Sequence, residues 1–372
     1  MTHAASEGAH AGPLRILLIS NMWPSAGSSV FGSFVARQVA ELERAGADVT
    51  VVANTVQRRG AVSALAKYVS LDRRARTAAR AGTFDVVVGH FLYPTAAFAR
   101  TAARIARVPL VLVSHGTDAR SVQRSDFLGR ASRRALEGAD LVVTVSNALR
   151  ETLRTEVDVP VCVPIEVVNM GFDADRFRPD ANARKTLGVP DDERVVLYAG
   201  NLEPVKRVEV LISAFARLVR EGRADRLIIV GGGSLRESLG QLVTDADIAG
   251  SVTFVGQLPQ EDLVHWMNAA DAFVLPSRSE GLGTVLLEAM ACGTPCVASR
   301  VGGVPEVLDE SCGRLVPSGD EDALRDAIDD IVSSGKHRYR DACLARAAQH
   351  TSAAKAREFL AHLERLVGGH GR

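Results

Sequence analysis

Short apolar runs alternate along this chain with longer segments whose apolar residues recur every three or four positions, and the alternation occurs twice. The first set of runs lies at Arg15–Ser20, Val49–Ala53, Val86–Gly89, Leu110–Ser114, Leu141–Val145 and Ile165–Val168. Uninterrupted apolar runs of this length predict strands covered on both faces. Between the first two, Phe34, Val35, Val39 and Leu42 fall on one side of the segment Phe31 to Arg44, which predicts a helix. A polar stretch, Asp173 to Glu193, interrupts the pattern. It restarts at Arg194–Ala199, Arg226–Val230, Val252–Val255, Ala272–Leu275, Pro295–Ala298 and Gly313–Val316. Residues 205–220 set Val208, Leu211, Ile212, Phe215, Leu218 and Val219 on a broad apolar face. Strands alternating with helices mean βαβ units and parallel sheets. The expected fold class is therefore α/β, with two parallel sheets facing across a cleft and ligands beyond the carboxyl ends of the strands.

Length supports two domains, since 372 residues exceed one ordinary domain and suffice for two buried cores. No apolar stretch reaches the ~18 residues of a membrane span. Met1 to Pro13 is small and polar without an apolar core segment, so a disordered tail is expected there and not a signal peptide. Five cysteines make an odd set, and Cys292 and Cys296 lack the second pair or histidines of a zinc site, so neither a disulfide framework nor a metal is expected. A reducing cytoplasm fits, with the thiols as core residues.

The zero net charge hides an asymmetry: residues 14–178 hold 22 Lys and Arg against 15 Asp and Glu, and residues 179–372 hold 22 against 28. Within the first half, Arg58, Arg59, Lys67, Arg73, Arg74, Arg76 and Arg80 face only Asp72, with Val62, Leu65, Val69 and Leu71 interspersed. Such a stretch can settle on an anionic membrane at roughly 1 kcal/mol per basic residue near the lipid. A solvated arginine-rich helix has the same composition. Nucleic acid is not indicated, because the charge is neutral and no recognition motif is present.

The densest chemistry lies between Pro276 and Leu308. An apolar run ends at Pro276, and Ser277-Arg278-Ser279-Glu280-Gly281-Leu282-Gly283 leads into Thr284-Val285-Leu286-Leu287-Glu288, a helical segment closed by Gly293 and Pro295. Gly281 and Gly283 let backbone amides approach a ligand. A strand, a glycine loop and a helix start converge free N–H groups and the positive end of the helix dipole, which suits phosphate. Glu288, in the second turn, can accept hydrogen bonds from paired sugar hydroxyls, and Glu280 stands beside whatever the phosphate carries.

This segment resembles the retaining, GT-B-fold glycosyltransferases of family 4, whose signature is a glutamate pair at this spacing inside a Ser-x-x-Glu-Gly-x-Gly frame. The resemblance runs from Leu14 to the C-terminal helix. It implies two Rossmann-like domains: an N-terminal acceptor domain over 14–178 and a donor domain over 179–351. A C-terminal helix, about 352–366, is expected to pack back on the first. It further implies that Glu280 faces the donor sugar and Glu288 holds the nucleotide ribose. Gly200-Asn201-Leu202-Glu203-Pro204-Val205-Lys206-Arg207 is similar to the family's Gly-Arg-Leu-x-x-x-Lys-Gly loop. Lys206 then meets the donor diphosphate, where a fixed cation stabilises a departing pyrophosphate. Asn201 replaces the usual arginine, and Arg207, in the usual glycine position, is expected to share the charge.

His115-Gly116-Thr117-Asp118, after the run 110–114, resembles the family's His-Gly-x-Asp element, whose histidine approaches the donor sugar. Retention of configuration does not require His115 as a nucleophile. Gly231-Gly232-Gly233-Ser234 and Val255-Gly256-Gln257-Leu258 are similar to the loops that read the nucleotide, with Gly232, Gly256 and Leu258 as the contacts. Val301-Gly302-Gly303-Val304-Pro305-Glu306 is the family's downstream motif and is expected to be structural. The loop Asn21 to Gly32 offers Gly27 and Gly32 as amide donors, with Phe31 opening the next helix; a plain βα connection would look the same. His90 and Tyr93 are acceptor-side candidates.

The resemblance implies a nucleoside-diphosphate sugar as donor substrate, UDP or GDP foremost, with no further cofactor and no metal. The acceptor is a saccharide or a lipid-linked one, and the order of elements most resembles bacterial teichuronic acid and exopolysaccharide transferases. A cytoplasmic enzyme touching the inner membrane face through residues 58–80 fits that role. Alternatives of related architecture are a hydrolysing nucleotide-sugar epimerase and a nucleotide-sugar-binding protein. A dinucleotide-binding Gly-x-Gly-x-x-Gly is not matched, because Gly231-Gly232-Gly233-Ser234-Leu235-Arg236 ends in arginine. Gly335-Lys336-His337 lacks the hydroxyl of a P-loop.

Overall fold

The computed structural model describes residues 12–24, 32–55 and 61–370. Most of the expected tail, Gly27 and Phe31 of the loop after the first strand, and Arg58 and Arg59 lie outside the described residues. So do the side chains of Val62 and Leu65.

Twelve strands form two all-parallel sheets of six among the described residues. The first contains β1 (Arg15–Ser20), β2 (Asp48–Ala53), β3 (Val86–His90), β4 (Leu110–Ser114), β5 (Leu141–Thr144) and β6 (Ile165–Val167), in the order β2-β1-β3-β4-β5-β6. The second contains β7 (Val195–Ala199), β8 (Arg226–Val230), β9 (Val252–Gly256), β10 (Ala272–Leu275), β11 (Cys296–Ser299) and β12 (Gly313–Val316), in the order β12-β11-β10-β7-β8-β9. Central strands are closed to solvent: Ile16, Leu17, Leu18 and Ile19 in β1 and Val195, Val196, Leu197 and Tyr198 in β7 are fully buried. That is why each reads as a continuous apolar run. The edge strand β9 departs from this, with Val252 to Gly256 partly exposed.

The order of each sheet determines where ligands can sit. The chain leaves β1 to one side for β2, then returns to β1's other flank with β3. It likewise leaves β7 for β8 and β9, then places β10 on β7's other flank. At such reversals the loops after the two adjacent strands splay apart and open a crevice beyond their carboxyl ends. The crevice positions are thus the loops after β1 and β3, and those after β7 and β10.

The chain divides into two compact units, one reaching to Met170 and including the segment from Ser352, the other spanning Gly171–Thr351. The sequence places this junction at 178/179. It falls earlier because residues after Gly171 are held by the second unit. Phe172 donates its N–H to the His350 carbonyl at 3.1 Å and bridges to Thr351. Phe177 is buried, and Asp180 donates its N–H to Asn268 at 2.8 Å. In the first unit the helix Ser352–His370 packs on the helix Ser33–Arg44, burying Ala356, Phe359, Leu360 and Leu363.

The helix Ala61–Ala81 carries the described part of the basic stretch. Arg76 is paired with Asp72 at 2.6 Å, and Arg74 donates to Asn54 at 3.0 Å. Arg73 and Arg80 are exposed, and Val69 is 52% exposed. No helix among the described residues is long and apolar enough to cross a membrane.

Candidate functional site

Four loops meet at the carboxyl end of the second sheet. Gly200 donates its N–H to the Val230 carbonyl at 3.0 Å, Leu202 to Gly232 at 2.9 Å, and Gly231 to Gly256 at 2.8 Å. The sheet ladder thus continues past the strands and ties the loops after β7, β8 and β9 side by side. Their glycines are required: a Cβ at Gly231, whose φ is 138°, would collide with the Gly200 carbonyl, and a Cβ at Gly233 would press on Leu202. Gly232 and Leu258 are half-buried, and Gly256 takes a φ of 85°. Beneath this floor the buried Tyr198 hydroxyl donates to the Asn201 carbonyl at 2.9 Å. Burial, with Glu280 and Glu209 nearby, holds that phenol protonated well above its ordinary range.

At the reversal between β7 and β10 the charged groups converge. Lys206 ends a short 3-10 turn, Pro204–Lys206, and its Nζ lies 2.6 Å from Glu280 Oε1. The Ser277 hydroxyl donates to the same oxygen at 2.6 Å. Glu280 Oε2 makes no hydrogen bond among the described residues. The two loops are locked together by the Arg278 N–H, which donates to the Val205 carbonyl at 2.8 Å.

Gly283, with φ 82°, caps the helix Thr284–Ala291, whose first turn carries no acidic residue. Gly281, Thr284 and Val285 are half-buried at its start, and Leu282 is buried against the core. Glu288 lies one turn further in and is 8% exposed. Lys206, Glu280 and the N-terminus of the helix Thr284–Ala291, which has no side-chain cap among the described residues, therefore stand together beyond β7 and β10, with Glu288 buried one turn into that helix. That combination can hold a polyanion with a hydroxyl-rich group attached.

Two residues expected from the sequence, Arg207 and Asn201, have defined partners. Arg207 takes a left-handed conformation at φ 51°; its Nη1 reaches Ser318 Oγ at 3.4 Å and its guanidinium lies on Gly319. Ser318 Oγ in turn donates to the Ser277 carbonyl at 3.0 Å. In this structure the Arg207 guanidinium is engaged by Ser318, and its expected part in the charge set stays a proposal. Asn201 is exposed and is held through its backbone carbonyl. Sequence reasoning missed Ser277, Ser318 and Tyr198. Ser277 stands inside the quoted glutamate frame, three residues before Glu280, and could have been found there. Gly302 supports the same loop, since a Cβ there would collide with the Glu280 carbonyl oxygen.

In the first unit His115 follows β4 and His90 ends β3. Their rings stack with centroids 5.2 Å apart, and His90 Nδ1 lies 3.0 Å from His115 Nε2. Phe34 and Phe91 wall the His115 ring at 5.0 and 4.6 Å. Asp118 accepts the N–H groups of His115 and Gly116, both at 2.9 Å, and of Leu92 at 2.8 Å, so it fixes the loop. Burial pushes the His115 imidazole down to about 4, against the upward pull of Asp118. Complete burial holds His90 well below its ordinary range. Both rings are neutral at pH 7. His90 is thus a backing group and not a surface that an acceptor could touch. Tyr93 donates to Asp126 at 3.2 Å. Gly32, with φ 75°, caps the helix Ser33–Arg44 where a Cβ would press on the backbone of Met22 and Trp23.

Comparison with known proteins adds to this geometry. The family described as Glycosyl transferases group 1 matches residues 179–349, and that described as Glycosyltransferase Family 4 matches residues 32–176. The N-acetyl-alpha-D-glucosaminyl L-malate synthase of Bacillus anthracis is 32% identical over 263 residues, covering 68% of this chain and 67% of its own length. Among curated relatives the chain spans between 41% and 70% of their length. Sucrose-phosphate synthase from Thermosynechococcus elongatus has a similar structure, with a TM-score of 0.79 at 25% identity over 96% of this chain and 100% of its own. Anabaena Alr3699/HepE, solved in complex with UDP-glucose, matches at a TM-score of 0.73 and 22% identity over 94% of this chain and 98% of its own.

Proposed function

The chain belongs to family 4 of the glycosyltransferases and has their GT-B fold; from that premise we propose the following donor, acceptor and division of labour. The second unit binds a nucleoside-diphosphate sugar, UDP or GDP foremost, and the sugar passes with retained anomeric configuration to a saccharide or lipid-linked acceptor of the cell envelope or an exopolysaccharide. One observation carries this reading: the 2.6 Å pair of Lys206 and Glu280 stands at the sheet reversal beside the free N-terminus of the helix Thr284–Ala291.

The charges assign the steps. The pair keeps Lys206 positioned but partly neutralised, so an incoming diphosphate displaces Glu280 as its partner. Lys206 and the helix N-terminus then oppose the charge that grows on the leaving diphosphate. Glu280, released from Lys206 and still held by Ser277, turns toward the sugar. There a carboxylate stabilises positive charge developing at the anomeric carbon. The acceptor oxygen attacks from the face that the diphosphate leaves, and a phosphate oxygen takes its proton. Glu288 accepts hydrogen bonds from the ribose hydroxyls. Gly232, Gly256 and Leu258 offer the base their backbone, as Gly281 to Val285 offer theirs to the phosphates. His115 donates to a sugar hydroxyl.

A cytoplasmic setting follows from nucleotide-sugar supply. Arg73, Arg80 and Val69 on the helix Ala61–Ala81, with Phe127 75% exposed in the same unit, support a peripheral contact with anionic lipid. Flotation with anionic and neutral vesicles tests that contact, and equal recovery from both removes it. The activity is tested by incubating the protein with UDP-, GDP- and ADP-sugars with and without saccharide and polyprenyl acceptors. Acceptor-dependent release of nucleoside diphosphate, with the anomer preserved by NMR, is the expected result. Release of free nucleotide and an epimerised sugar without acceptor would overturn it.

A further inference from the structure

The His90–His115 contact determines which nitrogen of His115 carries its proton. We propose that His90 is a positioning residue: its Nδ1–H donates to His115 Nε2, which locks His115 as the Nδ1–H tautomer and makes it a pure hydrogen-bond donor to an oxygen of its ligand. The proposal rests on the reading that His115 meets a sugar.

Two neutral rings joined by one N···N contact of 3.0 Å allow two proton arrangements. If His115 Nε2–H were the donor, His90 would carry its own proton on Nε2. That nitrogen is buried and has no hydrogen-bond partner among the described residues. An orphaned buried N–H is rarer and costlier than an acceptor left under-used. With the opposite arrangement the buried Nε2 is a bare lone pair and no donor is stranded. Both imidazoles are depressed by burial, so a doubly protonated ring does not compete near neutral pH.

The consequences for His115 are specific. Its Nε2 lone pair is occupied by His90, so it has no nitrogen with which to take a proton from a hydroxyl. Its Nδ1–H makes no hydrogen bond among the described residues and remains available. Phe34 and Phe91 restrict the ring's rotation by packing against it. Its partner must therefore present an acceptor: a sugar hydroxyl oxygen, or an oxygen carrying negative charge. General-base chemistry at this position is excluded by the same contact that orients the ring.

Long-range ¹H–¹⁵N correlation spectra of histidine-labelled full-length protein read the tautomer directly. At pH 7 His115 is expected to show the Nδ1-protonated pattern, and His90 the same. His90→Phe keeps the ring volume but removes the donor. In it the His115 signals shift toward the Nε2-protonated pattern and kcat/KM for transfer falls roughly tenfold, the scale of one hydrogen bond. His90→Asn places an amide N–H near the position of Nδ1. It restores the Nδ1-protonated pattern and most of the activity. A wild-type His115 protonated on Nε2, or an unchanged tautomer in His90→Phe, overturns the proposal. The underlying sugar-binding reading fails separately, if His115→Ala leaves transfer unchanged, because the spectrum reports the tautomer whether or not sugar binds.

Discussion

Each sheet reverses beside its first strand, and the loops beyond the strand ends carry opposite chemistry in the two units. After β7 and β10 the second unit sets a cation paired with a carboxylate beside a helix end that no side chain caps among the described residues. After β3 and β4 the first unit sets two neutral imidazoles, walled by Phe34 and Phe91 and fixed by Asp118. A charged crevice can exchange one ionic partner for another, which is what taking up and releasing a diphosphate requires. A neutral, aromatic-walled one can hold uncharged hydroxyls without competing for the phosphate. The strand order makes the place, and under the proposed function the side chains after the strands sort diphosphate from hydroxyls.

The largest effect that would break this contrast concerns Glu280. Glu280→Gln removes the charge but keeps the shape, so kcat is expected to fall about 10²–10³-fold. The Kd for nucleoside diphosphate, measured by calorimetry, should stay level or tighten as Lys206 is freed. Equal losses of both would end the separation of roles. Next comes Glu288→Ala: loss of charged hydrogen bonds to ribose predicts a roughly 10- to 100-fold weaker nucleotide Kd, and unchanged affinity would remove Glu288 from the nucleotide site.

The imidazoles give a pH test with a definite sign. His115 titrates near 4 when folded against 6.5 ordinarily, so the unfolded chain takes up the proton first as pH falls. The stability contributed by the neutral ring is complete above about pH 6.5 and is lost between about 6.5 and 4. His90 acts in the same direction. Urea midpoints should fall over that window, and His115→Phe should flatten the fall. A midpoint independent of pH there would mean that the rings are not held neutral. The smallest effect sharpens the role of Arg207. Arg207→Gly relieves a left-handed residue at φ 51° while giving up one long contact to Ser318. Stability should rise by about 0.5–1 kcal/mol with transfer unchanged. A marked loss of diphosphate affinity would instead place Arg207 in the charge set beside Lys206.

Much of the fold is legible in the sequence alone. Strands buried on both faces announce themselves as apolar runs, and β1, β4, β8, β10 and β12 begin and end where the hydropathy does. Edges were less clear: β11 starts at Cys296 and not Pro295, because proline has no N–H to give the ladder. The helix read over 205–220 begins at Val208, since Pro204–Lys206 is a separate turn that delivers Lys206. Glu280, Glu288 and Lys206 could be named because their spacing and loop setting travel together in sequence. The direction of Arg207 and the support from Ser318 and Tyr198 could not. Those depend on partners more than a hundred residues away or on a backbone carbonyl, and neither leaves a local pattern. His90 was visible only as a residue after a strand, because burial behind another histidine is a property of the folded sheet.

The helix Ser352–His370 belongs to the first unit although the whole of the second is encoded before it. During translation the ribosome therefore delivers Gly171–Thr351 complete while the earlier-made sheet still lacks a covering element. The unit that emerges first matures last, and its exposed helix face must wait through about half the synthesis of the chain, a window in which a nascent-chain chaperone has something to grasp.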